Sequence, residues 1–145
     1  MSHATTTGRS FFALLALFAL CCVGRSSPAA ATPSLVLVAE VPLPGKAVRF
    51  DYQAVDSANK RLFITHMNDA SVVVVSTRDG SVLKVLPAIP TPRGVAVAPE
   101  ARRVFVTSSP GKLVIIDSES LSELTRVTTG RAPDGVAWDP SHRIV

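Results

Sequence analysis

Cysteine is almost missing from this chain: the only two, Cys21 and Cys22, are adjacent and lie inside one apolar run, Phe11–Val23. If that run is removed on export, the remainder carries no thiol, hence no disulfide and no cysteine metal site. Long apolar runs are also missing. Phe11–Val23 is an uninterrupted stretch of thirteen residues, whereas a membrane-spanning helix needs about twenty. Blocks of like charge do not occur. Basic residues stand singly or in pairs, as at Lys60-Arg61 and Arg102-Arg103, so the concentrated basic patch that holds nucleic acid is absent. The formal charge of +4 becomes +2 (4 − 2) without Arg9 and Arg25. There is no G-x-S-x-G elbow, no phosphate-cradling glycine loop and no zinc spacing of histidines. Beyond the apolar run, nothing has a helical period.

Phe11–Val23 has the length of a signal-peptide core. Arg9 supplies the positive flank, and Ala29 and Ala31 offer small residues at the −3 and −1 positions of a cleavage site. Cleavage after Ala31 is therefore expected, which places the protein in the periplasm or outside the cell with no membrane span left. A retained anchor is disfavoured by length. A lipoprotein signal at Cys21 is disfavoured by Leu20, where Gly, Ala or Ser is preferred. Exported protein should begin at Thr32, as N-terminal sequencing or intact mass will tell. An intact Met1, or lipid on Cys21 or Cys22, would contradict it.

The rest of the chain repeats itself. QAVDSANKRLFIT falls on VAVAPEARRVFVT, and ASVVVVSTRDGSVLKVL on GKLVIIDSESLSELTRV, with one residue of slack between the second and third segments. A third copy, GVAWDPSHRIV, starts at Gly135, 41 residues (135 − 94) after Gly94. Each copy reads as four short strands separated by turn-forming residues. The spacing predicts strands near 50–55, 61–65, 71–76 and 81–86, then 94–98, 104–107, 112–117 and 123–128. The runs Val72–Val75 and Leu113–Ile116 imply strands buried on both faces. Loops this short cannot carry parallel crossovers. Four-stranded blades sandwiched between neighbours satisfy both conditions, and about forty residues per repeat suits a β-propeller.

GVAVAPEARRVFVT and GVAWDPSHRIV resemble the YVTN-type propeller repeat, G-V-A-x-x-P-x-x-x-R-V-Y-V-T, with Phe105 where Tyr is common. RFDYQAVDSANKRLFITH is similar to a first-blade variant found in YncE-like exported bacterial proteins. The resemblance implies an all-β propeller of four-stranded antiparallel blades, typically seven. Seven blades of about forty residues need roughly 280, so about two and a half are expected here. The expected organisation is a signal peptide over 1–31 and a partial propeller over 32–145. Within the latter, 32–48 hold a closing outer strand (Leu35–Val41) and linker, 49–93 blade one, 94–134 blade two, and 135–145 the start of a third.

Asp51, Arg93 and Asp134 occupy one repeat position, at or just before each first strand. A charged row there would line one mouth of a propeller channel and bind an unidentified small molecule or protein. Ordinary turn roles are the simpler alternative, with Asp134 capping the following amides. No catalytic residue and no cofactor is expected. No metal site is expected either; His66 is a weak candidate, with a solvated turn histidine the simpler reading. His142 falls on a turn, and Trp138, standing where the preceding copy has Val97, should pack between blades. The expected function is an exported binding or scaffold propeller. The alternatives are a lactonase-like hydrolase with a channel metal, a quinoprotein-like dehydrogenase, or an adhesive surface repeat. Bare blade faces also predict self-association of the chain by itself.

Overall fold

Runs of β-branched residues between Asp-, Asn- and Gly-containing turns leave the backbone little choice but antiparallel hairpins. The computed structural model describes residues 35–145, so the segment expected to be a signal peptide, the expected cleavage after Ala31 and both cysteines lie outside it. Val38–Val145 form one unit. In it β1 (Gln53–Asp56), β2 (Arg61–His66), β3 (Ser71–Ser76) and β4 (Val82–Leu86) make one sheet. A second sheet holds β5 (Pro92–Ala98), β6 (Arg103–Ser108), β7 (Lys112–Asp117) and β8 (Glu123–Thr128). Both are four-stranded antiparallel meanders in chain order. Single 3-10 turns at Met67–Asp69 and Pro99–Ala101 are the only helical elements among the described residues.

The two sheets repeat each other in detail. Asp56 pairs with Arg61, Ala98 with Arg103, and an isolated bridge joins Asp139 to Ile144. Each hairpin turn places its last residue in the left-handed region: Lys60 at φ 55°, Arg102 at 54° and Arg143 at 56°. In the first turn the Asp56 carboxylate accepts hydrogen bonds from the Asn59 amide and side chain, at 3.0 and 2.8 Å. In the third, Asp139 accepts one from the Ser141 amide at 2.8 Å. The third and fourth strands slip register between Val74 and Val75, and again at the equivalent Ile115 and Ile116. The residue of slack sits in the β2–β3 connection, which is one longer than that between β6 and β7.

Register decides which side chains share a face. In the first sheet, Val55, Leu62, Val75 and Val82 form one row, and Gln53, Ile64, Val73 and Val85 another, on what we call the first face. Ala54, Phe63, Val74, Val72 and Leu86 lie on the second face. The buried core joins that second face to Val95, Val97, Val104, Val106, Val114 and Ile116, all from the first face of the second sheet. Arg61 ties the contact by donating to the carbonyls of Ser118 and Glu119 in the β7–β8 turn. The sheets thus stack second face to first face, each as a translated and turned copy of the other.

Two expectations need adjusting. Leu35–Val41, expected as the outer strand of a last blade, is unpaired among the described residues, which include no such blade, and Leu35–Val38 are exposed. Regular pairing in β1 starts at Gln53, not residue 50, because Asp51 and Tyr52 both bond to Thr65 and so open the ladder. All of Ser71–Ser76 is buried, as the valine run implied, but in β7 Leu113 and Ile115 are only half-buried.

Candidate functional site

The meander brings the start of each first strand, the end of each second and the start of each third to one end of the sheet. Two threonines fix that end. Thr65 Oγ1 accepts from the Tyr52 amide at 2.8 Å and donates to its carbonyl at 3.0 Å. Thr107 Oγ1 accepts from the equivalent Gly94 amide at 2.8 Å and also bonds the Asp134 carbonyl. The closing threonine of F-I-T and F-V-T therefore pins the entry of its own first strand. In the second sheet it also holds the entry of the next repeat. Gly94 is glycine for a related reason: a Cβ there would stand 2.4 Å from the Asp134 carbonyl oxygen.

On this frame Arg93 and Asp134 are brought together, with Nη1 and Oδ1 3.6 Å apart. Asp51 makes its own pair with Arg49, also at 3.6 Å. Its other oxygen, Oδ2, is buried with no partner among the described residues. The ion pair thus joins Arg93 and Asp134, 32% and 57% exposed, whereas Asp51, at the equivalent repeat position, pairs with Arg49 and with neither of them. Such a pair in water contributes little to stability, and its groups are free to exchange partners with a ligand.

His66 is not a solvated turn histidine: it is fully buried. Phe50 stacks on its ring with centroids 4.0 Å apart, and Gly45, at φ 100°, passes so close that a Cβ would meet Asp69 and the imidazole. The segment 45–50 folds back across the end of β2 and seals it. Neither ring nitrogen has a hydrogen-bond partner among the described residues, and Asp69 Oδ2 is 3.7 Å from Nδ1. Ser71, paired with His66 across the strands, is buried with its hydroxyl likewise unpartnered. Among the described residues no three His, Cys, Asp or Glu side chains are grouped to hold a metal ion, and no helix there is long and apolar enough to cross a membrane.

Trp138 packs against the preceding repeat, as its place in the repeat led one to expect, while its hydrogen bond to Glu100 was not legible in the sequence. Trp138 stacks on Phe105 at 5.7 Å and donates its indole N–H to Glu100. The Glu100 carboxyl lies below its usual range, first through its own backbone amide and then through Trp138. Asp139 is lowered too, chiefly by the His142 side chain, whose Nδ1 is 2.6 Å from Oδ2.

No family model and no curated protein matches the chain. Among solved structures it is similar to the Kuenenia stuttgartiensis hydrazine synthase, at 21% identity and a TM-score of 0.58. The likeness covers 69% of this chain and 30% of that one. At this identity the likeness concerns the fold alone: an all-β arrangement of four-stranded antiparallel sheets.

Proposed function

We propose that the protein is an exported β-propeller of the YVTN type that works as a binding or scaffold protein, with its ligand site at the channel mouth marked by Asp51, Arg93 and Asp134. One observation carries the reading: equivalent sheets stack second face to first face. Contacts between unlike faces propagate in one rotational sense, and they end either in a closed ring or in an open array. Four-stranded blades of about forty residues belong to the ring. Polar groups at strand entries on a rigid scaffold are where such a fold binds. The binding partner is a small molecule or protein that answers a guanidinium flanked by carboxylates.

Arg93→Ala tests the site. Arg93 is partly exposed and paired with an exposed carboxylate, so the stability change should stay within about 0.5 kcal/mol. A thermal-shift screen of metabolites against wild type should yield a ligand whose shift is lost in Arg93→Ala. Equal shifts in both proteins would move the site elsewhere. Stoichiometric metal in protein purified without chelator would favour the hydrolase reading instead.

A further inference from the structure

The entries of the first two repeats begin alike and then differ. Thr65 Oγ1 accepts from the Tyr52 amide, and Thr107 Oγ1 from the Gly94 amide, each at 2.8 Å, so Tyr52 and Gly94 hold one repeat position. The Gly94 amide also donates to the Asp134 carbonyl at 3.0 Å, and the Thr107 hydroxyl donates to the same oxygen. Those bonds close the second entry onto the third. Among the described residues no backbone hydrogen bond joins the Tyr52 amide to the second entry, and the Thr65 hydroxyl turns back to the Tyr52 carbonyl. A Cβ on Gly94 would run into Asp134, so the same position points Tyr52 at Arg93, the repeat counterpart of Asp134. A ring there takes the space that the second and third entries give to their backbone bond. The first and second entries therefore stand apart, with Tyr52 47% exposed between them. The opening lies inside the chain, between two of its repeats.

We propose that this opening is a carbohydrate subsite: the apolar face of a neutral sugar ring stacks on Tyr52 while its hydroxyls bridge Arg93 and Asp134. The inference rests on the ligand site proposed above and names the class of its ligand. Three features choose the chemistry. An aromatic face half in water suits a flat ligand with C–H groups on one side. Arg93 and Asp134 are 3.6 Å apart, beyond a direct hydrogen bond. One hydroxyl can then donate to the carboxylate while its neighbour accepts from the guanidinium. Finally, the charges at the entries cancel, Arg49 pairing with Asp51 and Arg93 with Asp134, so nothing there favours a ligand of net charge.

Tyr52 is the chain's single tyrosine, so its ring protons report on the site alone. The purified protein is titrated with glucose, N-acetylglucosamine, cellobiose and maltose, one at a time. At least one sugar should shift the Tyr52 ring resonances to saturation. Salt at about 0.5 M should leave its dissociation constant within about twofold, because screening does not touch a neutral ligand. The variants are read by saturation transfer to the sugar protons. Tyr52→Ala should weaken binding at least about tenfold, whereas Tyr52→Phe, which keeps the ring face, should stay within about threefold. Should Tyr52→Ala melt early, Tyr52→Leu keeps the bulk without the aromatic face and carries the same expectation. A panel in which no sugar moves Tyr52 overturns the proposal, as does sugar binding that survives loss of the ring. If a charged metabolite binds through Arg93 and ignores Tyr52, the carbohydrate assignment falls while the ligand site stands. If neither sugar nor metabolite needs Arg93, both fall.

Discussion

Phe63→Ala is expected to cost about 3–5 kcal/mol, the usual toll of emptying a large core site, and to be the most destabilising truncation in Val38–Val145. Phe63 is 0% exposed, and it belongs to one core with Val72, Val74 and Leu86 of its own sheet and Val95, Val104 and Val106 of the other. A hole there is walled by two sheets, so it cannot collapse without separating them. Proteins of this size hold roughly 5–15 kcal/mol in all. With a urea slope of about 1–3 kcal/mol/M, the midpoint should fall by at least 1 M. Phe105→Ala supplies the comparison. It removes the same side chain at the equivalent position, but Phe105 is 6% exposed, has Trp138 on one side, and neighbours Leu113 and Ile115, which are only half-buried. Its surroundings can close in, so the loss should be smaller. Equal losses at the two positions would mean that the two faces are equally covered, contrary to the stacking described above.

What could be read from the sequence was what depends on neighbours along the chain. Turn residues at D-S-A-N-K and T-R-D-G and the β-branched runs marked the strands, and the repeat fixed which of them are equivalent. The same spacing put Arg93 one repeat before Asp134, but the ion pair between them, at 3.6 Å, was not read from it. Non-local burial was harder to read. His66 ends a strand and precedes Met-Asn-Asp, the look of a wet turn, yet Gly45 and Phe50 come back over it from some twenty residues upstream. Nothing local encodes that closure. The valine run Val72–Val75 proved buried on both sides, whereas Leu113–Ile116, equally apolar, is covered fully on one side only. Composition reports what a strand can bury, and the neighbour decides what it does bury.

Gly94→Ala and Gly135→Ala should behave oppositely, although the two glycines stand at the same repeat position. Neither has a positive φ, so backbone strain plays no part. A methyl on Gly94 would stand 2.4 Å from the Asp134 carbonyl oxygen, 3.0 Å from the Val136 amide nitrogen and 3.1 Å from Thr107 Oγ1. Two of those are backbone atoms that cannot rotate away, so residues 134–136 must move. The move breaks the 3.0 Å hydrogen bond from the Gly94 amide to Asp134 and the Thr107 hydroxyl's bond to the same carbonyl. Overpacking of this kind costs about 1–3 kcal/mol, and each lost hydrogen bond adds about 0.5–1.5 kcal/mol. At Gly135 a methyl meets nothing within 4 Å, and the change should stay within about 0.5 kcal/mol. Trp138 is the chain's single tryptophan, and it lies just beyond the displaced segment. Its emission should therefore shift to the red in Gly94→Ala, as the stack on Phe105 loosens, and stay unchanged in Gly135→Ala. If Gly94→Ala keeps both wild-type stability and wild-type emission, the entry of the third repeat is not held against the second sheet by this contact.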